Sequence, residues 1–206
     1  MHDERGERRG AARGRGLQLS SGPPPDFVDL RSIVGLRFAI GYASHDNFTG
    51  APLPGYETGA AWLHRAAAEA LARAAEALRS RRLTFVVYDA YRPLRATRAM
   101  VDYCEREGQE WLLDGWVGRT SRHNRGVAID VGLAHLASGE PLDMGSAWDA
   151  FDPSSYVVNA TGAARAARRE LAQAMTTVGF VPYEKEWWHF ELRLDPMPEP
   201  CDIPYG

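Results

Sequence analysis

Apolar and polar residues alternate regularly along one stretch in the second half of the chain. Every second residue from 127 to 133 is Val, Ile or Leu, and Ala128, Asp130 and Gly132 lie between them. A period of two is typical of a β-strand that turns one face towards the core. The other face carries Asp130 between two of the smallest residues, so we expect its carboxylate to be accessible to a ligand.

A helical period marks three other segments. Residues 57–82 predict a long helix, because apolar side chains recur on one face with Arg and Glu opposite. That apolar stripe consists of Leu63, Ala67, Leu71, Ala74 and Leu78. Arg92-Pro93 predicts the start of a second helix, since Pro is well tolerated in a first turn. Residues 163–178 predict a third helix, with Gly179 as its C-cap.

Further strands are predicted by short apolar runs. Residues 34–42 and 83–88 are two of these, and residues 183–194 favour a strand through their aromatic and branched side chains. Ser138-Gly139 predicts a turn after the alternating strand and therefore a hairpin. Helices thus flank strands that are close in sequence. This order predicts a single-domain α+β fold with a mainly antiparallel central sheet flanked by helices.

Length and composition fit one compact domain with a tail. The chain has 206 residues and a formal net charge of −3, which gives no reason to expect nucleic acid or an anionic membrane as a partner. Residues 1–21 are rich in Gly and Arg and lack the apolar core of a secretory signal, so we expect a disordered tail. No run reaches the length of a membrane span. We expect a cytoplasmic protein with Cys104 and Cys201 as free thiols.

Candidate metal ligands occur in two segments. Residues 121–130 contain His123 and Asp130, and residues 186–189 contain Glu186 and His189. Two imidazoles and one carboxylate suit zinc, and three protein ligands leave a fourth position for water. Glu186 is a spare carboxylate that can take a proton from such a water. Taken singly, His123 and Asp130 would more simply be a capping His and a surface Asp, but the combination of the two segments favours an enzyme.

The spacing of Glu186 and His189 sets a structural condition. In a regular strand the two side chains would point to opposite faces, because they are three residues apart. If both serve one site, either Glu186 precedes the regular strand or a bulge lies between them. The alternative is an ordinary amphipathic strand with an exposed Glu.

These motifs resemble a known family. Ser-x-His-x-x-Gly-x-Ala-x-Asp at 121–130 and Glu-x-x-His at 186–189 are similar to the zinc D-alanyl peptidases of the VanX and VanY types. Three further stretches favour the VanX-type D-alanyl-D-alanine dipeptidases, and all the motifs occur in the family's order. The stretches are residues 42–50, 88–93 and 144–149.

The resemblance implies a zinc peptidase domain at residues 22–206, with one Zn²⁺ in a cleft on the sheet. It implies that His123, Asp130 and His189 hold the metal, that Glu186 is the general base, and that Arg92 stabilises the oxyanion. Asp149 is then a candidate for the substrate ammonium, and Tyr42 and Ser121 are candidate walls of the pocket. A turn Asp, a core Tyr and a loop Ser are the alternatives for these last three residues.

Three functions remain open at this point. The first is zinc-dependent hydrolysis of the dipeptide D-alanyl-D-alanine. The second is a D,D-carboxypeptidase that acts on longer cell-wall precursors. The third is a non-catalytic zinc module of related fold, as in the Hedgehog signalling domain, although such a module needs neither Glu186 nor Arg92.

Overall fold

The structure is a computed structural model that describes residues 22–205, so the predicted tail at residues 1–21 lies outside it. The described part contains seven strands and three α-helices. The strands are β1 (Phe27–Asp29), β2 (Arg37–Phe38), β3 (Trp62–His64), β4 (Leu83–Asp89), β5 (Ala128–His135), β6 (Phe180–Tyr183) and β7 (Glu186–Leu192). The helices are α1 (Arg65–Arg79), α2 (Leu94–Arg106) and α3 (Gly162–Thr177). None of these helices is long and apolar enough to cross a membrane.

Five strands form one mixed sheet in the order β2-β4-β5-β7-β6. Only the short edge strand β2 runs parallel to its neighbour; the other three pairings are antiparallel. β1 and β3 form a separate antiparallel ribbon. The predicted α+β class and mainly antiparallel sheet are therefore confirmed.

The central strand β5 is buried on both faces. Every residue from Ala128 to Ala134 is buried, Asp130 included. Helices α1 and α3 pack against the sheet through one apolar cluster, and a second cluster joins α2 to the aromatic side chains of Trp62, Tyr91 and Tyr205. The expectation of one open face was therefore wrong, and Asp130 reaches solvent only through a cavity.

The first helix is shorter than the prediction. It begins at Arg65, where the His64 imidazole accepts a hydrogen bond from the N–H of Ala66, and it ends at Arg79. Residues 62–64 pair with β1 instead of joining the helix. Leu63 would be buried either in the predicted helix or in β3, so the apolar period could not distinguish a helix from a strand at this position. The third helix, predicted at 163–178, is confirmed within one residue, and Gly179 follows it with a left-handed φ of 100°.

One predicted strand was too long, and one predicted hairpin is incomplete. Only Arg37–Phe38 of residues 34–42 forms a strand, because Gly35 turns the chain at a φ of 93° and a short 3-10 helix begins at Gly41. The turn after β5 is present, but the returning chain makes only one bridge, between Ala134 and Pro141.

Cys104 and Cys201 are unpaired, as expected.

Candidate metal centre and active site

Three donor atoms converge at one point between β5, β7 and the loop before β5. Nε2 of His123 lies 3.1 Å from Nδ1 of His189 and 3.3 Å from Oδ1 of Asp130. Nδ1 of His189 lies 3.0 Å from the same carboxylate oxygen. Asp130 and His189 face each other because they are register partners in the β5–β7 ladder. His123 comes from a short 3-10 helix, Arg122–Arg125, that precedes β5.

The donor set fits zinc in type and spacing. Zinc in a tetrahedral site binds imidazole nitrogen and carboxylate oxygen at about 2.0–2.2 Å, which places neighbouring ligand atoms roughly 3.3 Å apart. The separations of 3.0–3.3 Å among these three atoms match such an arrangement. His123, Asp130 and His189 can therefore hold one zinc ion and leave a fourth position open.

The outer hydrogen bonds orient both imidazoles. Nδ1 of His123 lies 2.5 Å from the carbonyl oxygen of Ala90, which can only accept, so this nitrogen carries the proton and Nε2 is free for a metal. Nε2 of His189 similarly faces Oε1 of Glu191 at 3.3 Å, which leaves Nδ1 free. The indole N–H of Trp148 donates to the second oxygen of Asp130 at 3.3 Å. Each of the three donor residues thus has a partner that fixes its direction.

The loop that carries His123 is held by its own caps. The hydroxyl of Ser121 accepts a hydrogen bond from the N–H of His123 at 3.2 Å, and Asn124 completes a capping box by accepting from the N–H of Ser121. Gly126 ends the short helix at a φ of 65°. A Cβ at Gly126 would collide with the ring of Phe27 and lie 2.9 Å from the backbone nitrogen of His64. Only glycine fits this close turn.

Electrostatics at the donor cluster favour a cation. Burial opposes the charge of Asp130, but His123 and His189 outweigh it and lower the pKa of this carboxyl. Burial likewise opposes protonation of His189, but its hydrogen bonds to Asp130 and Glu191 raise its pKa to about 10. Both shifts show that the surroundings of these side chains stabilise positive charge. A divalent cation bound there would supply that charge.

Glu186 lies beside the donor cluster. It is the first residue of β7, and its Oε2 is 3.9 Å from Nδ1 of His189. The pairing of β6 with β7 shifts register between Pro182 and Tyr183, so the chain between Glu186 and His189 is irregular. The irregularity that the odd spacing requires is therefore present. Burial raises the pKa of Glu186 to about 7, assisted by Asp130 and opposed by His189, which suits proton transfer near neutral pH.

Arg92 enters the same cavity from the end of β4. Its Nε and Nη2 donate to Oδ2 of Asp89 at 3.0 and 2.8 Å, and its guanidinium carbon lies 5.0 Å from the centre of the Tyr42 ring. Burial alone would lower the pKa of Arg92, but the charge of Asp89 outweighs this and raises it. Arg92 is therefore a fixed, permanently charged group.

The segments that carry Arg92 and His123 are bonded to each other. The N–H of Arg92 donates to the carbonyl of His123 at 3.1 Å, and the side-chain amide of Asn124 donates to the carbonyl of Arg92 at 2.8 Å. The position of the guanidinium relative to the donor cluster is consequently set by the backbone.

Asp149 and Tyr42 also line this cavity. The hydroxyl of Tyr42 donates to Oδ2 of Asp149 at 2.7 Å. Asp149 has a φ of 56°, an uncommon conformation for a residue other than glycine and one that clusters at functional sites. Burial and the charges of Asp130 and Glu186 raise its pKa well above the usual range, in spite of the bond from Tyr42. A ligand ammonium placed there would relieve this unfavourable environment.

One cavity of about 550 Å³ joins these groups. Its other walls include Leu113, Trp116, Val117 and Phe151, and the segment of residues 113–121 is attached to the β6–β7 hairpin by a hydrogen bond from the Tyr183 hydroxyl to the carbonyl of Gly115 at 2.8 Å. All eight residues predicted from the sequence line the cavity. They are Tyr42, Arg92, Ser121, His123, Asp130, Asp149, Glu186 and His189.

Three contributors were missing from the prediction. Glu191 stands two residues after His189, so it points to the same side of a regular strand, and that spacing could have indicated it. Asp89 lies at the end of β4, three residues before Arg92, but nothing local identifies their contact. Trp148 is adjacent to Asp149, and its bond to Asp130 spans 18 residues. A contact between residues so far apart in the sequence leaves no periodic pattern from which it could be predicted.

Comparison with known proteins gives consistent matches. Residues 25–202 match the family described as D-ala-D-ala dipeptidase. The D-alanyl-D-alanine dipeptidase of Streptomyces coelicolor is 33% identical over 191 residues, covering 84% of this chain and 95% of the relative. The enzyme of the same name from Enterococcus faecium is 34% identical over 189 residues, covering 84% and 94%. Among solved structures, VanYB in complex with D-alanine-D-alanine aligns with a TM-score of 0.44 at 18% identity, covering 64% of this chain and 72% of the other.

Proposed function

The chain belongs to the D-Ala-D-Ala dipeptidase family, and from that membership we propose that it is a zinc-dependent D-alanyl-D-alanine dipeptidase. It splits the peptide bond of the free dipeptide with water and releases two molecules of D-alanine. The observation that carries this proposal is the convergence of a three-donor metal cluster, a neutral-range carboxyl and a buried guanidinium in one cavity.

The ammonium group of the dipeptide requires a complementary group in the pocket. Asp149 accepts the substrate ammonium, which supplies the positive charge that its buried carboxyl lacks, and Tyr42 orients that carboxyl through the bond at 2.7 Å. Ser121 acts mainly on the enzyme itself, because its hydroxyl caps the helix that presents His123.

The reaction divides between the metal and the side chains around it. His123, Asp130 and His189 would hold the zinc ion, which would supply Lewis-acid chemistry to the attacking water and the scissile carbonyl. Glu186 takes a proton from the attacking water and returns a proton to the leaving amine, and its pKa of about 7 suits both transfers. Arg92 stabilises the negative charge that develops on the carbonyl oxygen, because it is a buried donor that needs no reorganisation.

Cavity size supports a second candidate. Pockets of roughly 300–1,000 Å³ hold drug-sized ligands, so a cavity of about 550 Å³ has more room than one alanine dipeptide fills. A D,D-carboxypeptidase acting on a longer precursor would use the same chemistry with the extra space occupied. We favour the dipeptidase, because the named relatives at 33 and 34% identity are dipeptidases and Asp149 suits a free ammonium. A cytoplasmic location is part of the same proposal, whereas a carboxypeptidase that trims finished wall peptides would have to act outside the membrane.

The test is the release of alanine by zinc-loaded protein from D-Ala-D-Ala, L-Ala-L-Ala and an N-acyl-D-Ala-D-Ala peptide. The proposal predicts turnover of D-Ala-D-Ala alone, with a Glu186→Gln protein as the inactive control. Comparable turnover of the acylated peptide would favour the carboxypeptidase. No turnover of any peptide by protein that contains one zinc per chain would indicate a non-catalytic metal site.

A further inference from the structure

Asp89 is a fully buried carboxylate at the end of β4, beside the active-site cavity but not among the residues that line it. Its Oδ2 accepts from Nε and Nη2 of Arg92 at 3.0 and 2.8 Å and lies 3.3 Å from Nδ1 of His123. Its Oδ1 accepts from the hydroxyl of Tyr56 at 2.5 Å. One side chain thus contacts both the guanidinium and a metal-ligand residue.

All the side-chain groups around Asp89 present donors. Arg92 has no acceptor, and Nδ1 of His123 carries a proton because it also faces the carbonyl of Ala90. Tyr56 donates through its hydroxyl. An ionised carboxylate is the side chain that can accept from all of them and neutralise the buried charge of Arg92. Asparagine has the same shape, but it lacks the charge and would turn its NH₂ towards one of the donors.

We propose that Asp89 is a positioning residue that fixes Arg92 and His123 relative to each other, so that the oxyanion-stabilising group and the metal are held at a constant separation. This inference rests on the proposed function for the role of Arg92, but its effect on His123 does not depend on any activity. Asp89 acts through the other two residues and does not touch the substrate.

Two measurable consequences follow for Asp89→Asn. At saturating zinc, kcat for D-Ala-D-Ala should fall about tenfold to a hundredfold with little change in KM, because a small displacement of a stabilising group costs rate more than binding. The zinc dissociation constant, measured by competition with a chelator, should rise by about tenfold or more, as expected when an outer partner of a ligating His is lost. The second readout requires no substrate.

Two control variants separate positioning from general stability. Asp202→Asn removes a carboxylate that accepts a hydrogen bond at 3.0 Å from Nε of Arg95, a residue of α2 that lies outside the cavity. It should leave kcat and zinc affinity within about twofold of wild type. Tyr56→Phe removes the third bond of Asp89 and leaves Arg92 and His123 bonded to it. It should lower the melting temperature with much less effect on kcat than Asp89→Asn has.

A double variant tests whether Asp89 acts through Arg92. If it does, Asp89→Asn should reduce kcat far less in an Arg92→Ala background than in wild type, while zinc affinity still falls. Fully multiplicative losses of kcat would overturn the proposal, and so would unchanged zinc affinity in a folded Asp89→Asn protein. If wild type turns over no dipeptide, the proposed function fails, and the zinc measurement still decides whether Asp89 positions His123.

Discussion

Arg92 offers a prediction in which stability and catalysis separate. The Arg92→Ala variant removes a buried guanidinium and leaves Asp89, which has no exposed side-chain surface, without its cation. Removing one partner of a buried ion pair costs about 3–5 kcal/mol of folding stability. Total stabilities are about 5–15 kcal/mol, so we expect a folded protein with a clearly lower melting temperature.

The catalytic loss has a different size and a different signature. Loss of one oxyanion donor costs roughly 3 kcal/mol, which corresponds to about a hundredfold in kcat. KM should change much less, because the charge that Arg92 meets develops only in the transition state. A phosphinate dipeptide mimic carries a tetrahedral anion at that point, so it should lose affinity by a factor comparable to the loss in kcat.

Arg92→Lys refines this prediction. Lysine keeps the positive charge opposite Asp89 and should recover most of the stability, but it has no Nε and cannot reproduce the planar pair of bonds at 3.0 and 2.8 Å. We therefore expect only partial recovery of kcat. The assays are steady-state kinetics on D-Ala-D-Ala and inhibition by the mimic. Normal kcat in Arg92→Ala, with substrate and mimic weakened equally, would refute the reasoning and assign Arg92 to recognition of the substrate carboxylate.

Three further predictions follow from the site and its supporting loop. Replacing any one of the three metal-donor residues with Ala should abolish stoichiometric zinc binding in elemental analysis, whereas full occupancy in all three variants would place the metal elsewhere. Glu186→Gln should retain zinc but lose roughly 10²-fold or more in kcat, and near wild-type turnover would exclude it as the base. Gly126→Ala should destabilise the fold by about 2 kcal/mol or more, because it combines a left-handed φ with a collision at Phe27. Gly108→Ala is its matched control, since Gly108 has a φ of 66° but nothing within 4 Å, and equal losses would show that the collision is unimportant.

The residues that the structure brings together as a donor cluster could be singled out from the sequence because their information is local. Asp130 stands out in a strand of strict alternation, and Gly126 marks the turn that brings His123 back towards it. The spacing of Glu186 and His189 was also local information. Two residues three apart can serve one site only if the strand is irregular, and the register shift in the β6–β7 hairpin supplies that irregularity. Period and spacing are sufficient for features of this kind.

Features that depend on tertiary contacts were not predictable in the same way. Residues 57–64 fit a helical stripe, but pairing of Trp62–His64 with β1 outweighs that preference. Asp89 could not be assigned from its neighbours, because one of its partners, His123, arrives from a loop more than 30 residues away and another, Tyr56, from the segment before β3. The burial of Asp130 likewise depends on partners from other segments, His123, His189 and Trp148.

Titration of metal-free protein with zinc, with hydrolysis of D-Ala-D-Ala measured at each step, tests the central claim most directly. If His123, Asp130 and His189 hold one catalytic zinc, activity should rise linearly from a negligible level and level off at one equivalent per chain. A His189→Ala protein should show no such rise over the same range. Full turnover by chelator-treated wild type that contains no zinc, or an equal rise in the His189→Ala protein, would contradict the account.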